Sequence, residues 1–278
     1  MDRPDTSPPT MMQRILASDF VFDFTRAPLA MLAAAVVLFL FIIAILAPLV
    51  APTNPFDPAS LNLMNGFTPP MTPNMFTGQS FVMGTDDQGR DLLSAIIYGL
   101  RVSLFVGVMS VLLAMGIGVS LGLVAGYVGG WLDNLIMRIA DIQLTFPSIL
   151  IAMLIFGVLR GIIPPDLRDE MAIFVLIAAI GLSEWVPFAR TVRATTLVEK
   201  EKEYVQAARL IGLRRGQIMW RHILPNVIGP VLVIATITLA LAIIAEATLS
   251  FLGVGAPPTE PSLGTLIRIG QDYLFSGE

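Results

Sequence analysis

The 278-residue chain is 55% hydrophobic and 14% charged, with mean hydropathy +0.78, the balance of a chain that lives in a bilayer. It has no cysteine and a single histidine, His222, which excludes disulfides, thiolate metal sites, cysteine nucleophiles and multi-histidine centres. The net charge of −4 gives no reason to expect nucleic acid, and no G-x4-G-K-[ST] string occurs, so any use of ATP has to come from a partner.

Residues 1–28 are mostly polar and read as a cytoplasmic N-terminal segment. The apolar run 29–50 is too long for a signal-peptide core and is expected to be an uncleaved first transmembrane helix, 29–51. Residues 52–100 form an extracytoplasmic segment, rich in Pro, Asn, Thr and Met in its first half. It ends in Gly84-Thr-Asp-Asp-Gln-Gly-Arg-Asp91, a turn leading into a helix with Asp91 near its start and Arg101 near the membrane. The second run, 102–127, carries Gly118, Gly122 and Gly126 at four-residue spacing, with Ser103 and Gly107 at the same interval. Such a stripe lets two helices approach closely in lipid.

A third run covers 142–159, a fourth 171–189 interrupted by Glu184, and a fifth 227–253 interrupted by Glu246. Each approaches the roughly 20 residues a hydrocarbon core requires, which predicts five spans. Asp133 and Arg138 are expected to pair ahead of the third span, and Glu184 to pair with Arg190 or Arg193. With the N-terminus inside, twelve Lys and Arg residues are cytoplasmic, eight of them between the fourth and fifth runs. Only Arg90, Arg101, Arg160, Arg168 and Arg268 are outside.

The loop between those runs contains Glu203-Tyr-Val-Gln-Ala-Ala-Arg-Leu-Ile-Gly212, then nine residues, then His222-Ile-Leu-Pro225. Tyr204, Ala207, Ala208 and Ile211 fall at i, i+3, i+4 and i+7, one face of a short helix where small residues allow close docking. Gly212 is placed to end that helix with a left-handed cap, and Pro225 to mark re-entry into the membrane. An amphipathic helix resting on lipid headgroups is the competing reading of the same pattern.

This loop resembles the signature E-A-A-x3-G-x9-I-x-L-P of ABC importer permeases. Ala207, Ala208, Gly212, Leu224 and Pro225 stand at the family's positions, while Gln206 replaces its usual Glu and His222 its usual Ile. Other strings resemble the dipeptide, oligopeptide and nickel permeases of that family. These are 84–104, 129–147, Trp185-x2-Phe188-Ala189-Arg190, and Ala245-Glu-Ala-Thr-Leu-Ser-Phe-Leu-Gly253.

The resemblance implies an all-α polytopic membrane protein of the type I importer permease fold. Its permease domain spans 101–278, with a coupling loop at 191–225 and a helix broken near Phe146-Pro147. It implies a second homologous permease, two ATPase subunits holding the ATP and Mg, and an extracytoplasmic solute-binding protein. No cofactor is expected on this chain, and short peptides are the foremost expected solute. In the loop it assigns coupling to Glu203, Tyr204, Gln206, Ala207, Ala208, Ile211, Gly212, His222, Leu224 and Pro225. Glu246 and Ser250 become candidates for the translocation path. A proton-coupled secondary transporter with Glu246 as carrier is the alternative. The family carries six spans, and the segment after Pro257 resembles the loop before a sixth, so a further apolar run is expected beyond Glu278.

Overall fold

A computed structural model describes residues 24–57, 61–257 and 259–276, so most of the expected segment 1–28 lies outside the described residues. The helices are α1 (Pro28–Ile45), the single turn α2 (Ala47–Val50), α3 (Leu92–Val128), α4 (Gly130–Leu144) and α5 (Ser148–Ile162). They continue with α6 (Arg168–Ser183), α7 (Trp185–Glu199), α8 (Glu203–Leu210), α9 (Arg215–Phe251) and α10 (Leu263–Ser276). Among the described residues β-structure is limited to two isolated bridges, Pro73↔Ser80 and Thr85↔Asp91. The all-α expectation holds.

Helices α1, α3 and α9 are each long and apolar enough to cross a membrane. The third and fourth predicted runs are not single helices. The third breaks at Thr145-Phe146-Pro147, where α4 and α5 meet at 100°. The fourth breaks at Glu184, where the 165–183 stretch and α7 meet at 41°. Counting each bent pair as one crossing gives up to five spans. Pro147 supplies the first break, because it has no N–H to donate and pushes the residue before it out of helical conformation. Continuous hydropathy cannot reveal such a break. Ile142 therefore belongs to α4, and α5, with 15 residues, is only about 22 Å long.

Helix α3 is the spine of the fold, with α7, α9 and α6 packed around it. Asp91 caps its start by accepting the Ser94 amide at 3.0 Å. The glycine stripe is a seam against α7. A Cβ at Gly118 would stand 2.5 Å from Phe188 Cβ, and one at Gly122 2.5 Å from the Ala189 carbonyl oxygen. At Gly126 it would stand 2.7 Å from Thr196 Cβ. Ser103 and Gly107 continue the stripe onto different partners. Gly107 meets Ile243 and Leu239 of α9, and Ser103 Oγ accepts the Leu263 amide of α10 at 3.2 Å.

The fifth run also differs from expectation in its start. Its helix starts at Arg215, earlier than the apolar run, while its regular α-helical part begins at Leu224 with Pro225 in the first turn, as expected. A π-helical stretch, Ile218–Ile223, precedes the proline and adjusts the backbone bonding where proline offers no N–H.

Candidate coupling loop and membrane breaks

Helix α8 ends as its sequence dictates. Gly212 has φ +80°, its amide bonds to the Arg209 carbonyl at 3.0 Å, and the Leu213 amide reaches back to Ala208 at 3.2 Å. This double bond pattern satisfies carbonyls that would otherwise be orphaned at the helix end.

Of the face the spacing suggests, Tyr204, Ala207 and Ile211 are exposed and Ala208 is not. Val205 and Ala208 point inward, 0% and 4% exposed, and share a core cluster with Leu213, Ile218 and Ile223. The outward row is Glu203, Gln206, Ala207, Leu210 and Ile211, at i, i+3, i+4, i+7 and i+8, with Leu210 89% and Ile211 75% exposed. Ala208 therefore leaves the predicted docking face, because Val205 is the larger inward anchor and sets the rotation of the helix. Leu210 was missed, although its spacing from Gln206 and Ala207 was the signal.

Tyr204, 36% exposed, is a strut between elements. Its hydroxyl donates to Glu199 at 2.6 Å and accepts from Asn226 Nδ2 at 3.0 Å, joining the end of α7 to α9 across α8. Burial first, then the Glu199 carboxylate, push the Tyr204 phenol up to about 12. Lys202 binds the other oxygen of Glu199 at 2.6 Å. Lys200 Nζ donates to the Gly126 carbonyl at 3.0 Å, and the Arg209 guanidinium lies 5.2 Å over the Tyr127 ring. The loop is thus fastened to the end of α3. Gln206 folds back to the Glu201 carbonyl, His222 and Leu224 are half-buried, and Pro225 is exposed.

The two membrane breaks face each other. At the second, the Ser183 carbonyl accepts from Gln143 Nε2 at 2.9 Å and Leu182 does so at 3.2 Å, while Trp185 Nε1 donates to Gln143 Oε1 at 2.8 Å. One amide side chain beside the first break therefore satisfies the backbone freed by the second, as an apolar surrounding requires. The Glu184 carboxylate is half-buried at this break. It does not pair with Arg190 or Arg193. Arg190 pairs with Asp141, and Arg193 pairs with Asp133, its NH2 group at 2.7 Å. Arg193 also displaces Arg138 as the expected partner of Asp133, because α4 lies alongside α7.

Glu246 and Ser250 are buried inside this subunit, 0% and 2% exposed. Ser250 Oγ donates to Glu246 Oε1 at 2.7 Å and accepts the Ala256 amide at 3.2 Å. Glu246 Oε2 has no hydrogen-bond partner among the described residues. The pair fastens the turn after α9.

Residues 118–276 match the family described as binding-protein-dependent transport system inner membrane component. Residues 16–70 match the N-terminal TM domain of oligopeptide transport permease C. A dipeptide transport system permease protein DppC of Haemophilus influenzae is 36% identical over 270 residues, 96% of this chain and 86% of its own. The oligopeptide transport system permease protein OppC of Bacillus subtilis is 35% identical over 93% of this chain and 78% of its own. A putative peptide transport system permease protein of Brucella suis is 40% identical over 85% and 74%.

Proposed function

The chain belongs to the family of inner-membrane components of binding-protein-dependent transport systems, the permease subunits of ABC importers whose ATPase is a separate subunit, and from that premise we propose that it passes short peptides inward. The names of its relatives support the solute class, since they are described as dipeptide, oligopeptide and peptide permeases. The chain works beside a second homologous permease, on two ATPase subunits with their ATP and Mg. A solute-binding protein delivers from the other side. The N-terminus and the 191–225 loop are cytoplasmic, as the excess of Lys and Arg there supports.

The observation that carries the mechanism is the outward row of α8. A short helix that exposes Leu210 and Ile211 beside Ala207 offers a small apolar knob for a cleft on the ATPase. Val205 and Ala208 hold its other side to the core. Tyr204, Lys200 and Arg209 tie it to α7, α9 and the end of α3. Movement of the ATPase pair pulls on α8 and, through these fastenings, on the helices that line the path. Glu203, Gln206, Gly212, His222, Leu224 and Pro225 shape the loop and its return rather than contribute apolar contact.

Glu246, buried and hydrogen-bonded to Ser250, acts in packing, so transport follows ATP and not the proton gradient. The test is uptake by proteoliposomes holding the whole assembly. Wild-type uptake should persist with a protonophore and stop without ATP, and Leu210→Asp should lose uptake while still folded. Uptake driven by a pH gradient without ATP would overturn the coupling mechanism. Normal ATP-driven uptake in Leu210→Asp would remove α8 as the contact.

A further inference from the structure

Three of the five arginines outside the basic cytoplasmic set gather at one place. A cavity of about 270 Å³ lies where the end of α5, the start of α6 and the turn after α9 meet, with Phe156, Gly157, Arg160, Gly161, Arg168 and Gly253 in its lining. No carboxylate lines it. Arg160 sits with its guanidinium carbon 5.9 Å from the Phe156 ring centroid, which orients its planar fork. Arg168 spends its Nε on the Ile163 carbonyl at 3.2 Å, leaving its terminal NH2 groups for another acceptor. Arg268 stands against the same turn, since a Cβ on Gly253 would be 2.8 Å from its NH1, and its Nε is buried without a partner among the described residues.

None of the three is in an ion pair among the described residues, although Asp166 and Asp169 flank Arg168 in sequence. Bringing three like charges around one recess is unfavourable on its own, and an anion placed there offsets the cost. Room for it exists beside Arg160, because a Cβ at Gly157 or Gly161 would meet nothing within 4 Å.

We propose that this recess binds the free carboxylate of the solute on its way into the permease, with Arg160 and Arg168 as the direct donors and Arg268 adding its field. The proposal rests on the peptide-permease reading above. The recess is smaller than the roughly 300–1,000 Å³ of a site for a whole ligand, so it takes one end of a molecule. A planar guanidinium fork matches a carboxylate in bidentate fashion. The recess also lies at the end of the bundle opposite the coupling loop, where solute arrives. A phospholipid phosphate is another source of anionic oxygen, and the experiment separates the two.

The complete assembly in lipid nanodiscs is treated with phenylglyoxal, an arginine reagent, and labelling of Arg160 and Arg168 is read by peptide mass. Dialanine is expected to protect both, and dialanine amide neither. In uptake, Arg160→Gln with Arg168→Gln should raise the KM for dialanine about tenfold, the order of a lost charge-assisted hydrogen bond. Protection by dialanine in an assembly that transports no peptide would keep the carboxylate site and remove the peptide reading. Peptide uptake in which neither protection nor KM depends on the carboxylate would overturn the site. Protection that comes with phospholipid and ignores dialanine would overturn it too, and would identify a headgroup site.

Discussion

Glycine does opposite work in the α3–α7 seam and in the α8 loop. Along α3, the space above Gly118, Gly122 and Gly126 is filled by α7, and a single extra carbon would collide with backbone or Cβ atoms at 2.5–2.7 Å. At Gly212 a Cβ would meet nothing within 4 Å, and the residue is chosen for φ +80°. One region is closed upon its own chain, whereas the other keeps an open face and spends its glycine on backbone direction. A permease needs both, a rigid body to move and a handle that leaves surface free for a partner.

The largest expected effect comes from filling the seam. Gly122→Leu should give no folded subunit, because even its Cβ collides with the Ala189 carbonyl and overpacking commonly costs about 1–3 kcal/mol or more. Size-exclusion chromatography of the solubilised protein reads this. A monodisperse peak at wild-type yield would mean the seam can open.

Next come two aspartates on opposite sides of α8. Ala208→Asp puts an unpaired charge among Val205, Leu213 and Ile218, at about 3 kcal/mol or more, and should make the loop sensitive to protease. Leu210→Asp should leave stability within about 0.5 kcal/mol, since the side chain is already in the open, yet stop uptake. Equal protease sensitivity in both variants would erase the distinction between inner and outer faces.

A smaller effect is expected at the other end of α9. Ser250→Ala strips from Glu246 its only donor among the described residues and the acceptor from the Ala256 amide, at about 2 kcal/mol. Exchange of the Ala256 amide should accelerate at least about tenfold, while Glu246→Gln, which keeps an acceptor oxygen, should change it little. Identical exchange in Ser250→Ala and wild type would dissolve the latch.

The smallest effect is confined to alkaline pH. The folded loop holds Tyr204 as a neutral phenol up to about 12, against about 10 in an unfolded chain. The folded form therefore keeps a proton that the unfolded form has lost between these values. This part of the stability is complete below pH about 10 and is lost as pH rises through about 12. Limited proteolysis of 200–226 should accelerate over that window in wild type and less so in Tyr204→Phe. Matching pH profiles would exclude Tyr204 as the strut.

How far the sequence could be read follows from the kind of signal each feature leaves. Span-length apolar runs, the glycine stripe and the cap at Gly212 are written in local order, and local order fixes them. The breaks were only half legible. Pro147 announces the first, but nothing local marks Glu184 as the second, since that bend is met by Gln143 arriving from another helix. The same holds for the ion pairs. Asp133 chose Arg193, sixty positions away, over Arg138, five positions away.

By itself, then, the sequence determined that this is a helical membrane chain, roughly where it crosses, and where its signature loop turns. Those properties depend on hydrophobic length, on proline and on glycine, which act within a few residues of themselves. Only the tertiary structure decided which face of α8 is free, which carboxylate meets which arginine, and that Glu246 is closed inside the subunit. A helical period says which residues share a face but not which way that face is turned. That rotation is set by what packs behind it, Val205 and Ala208 against Leu213 and Ile218.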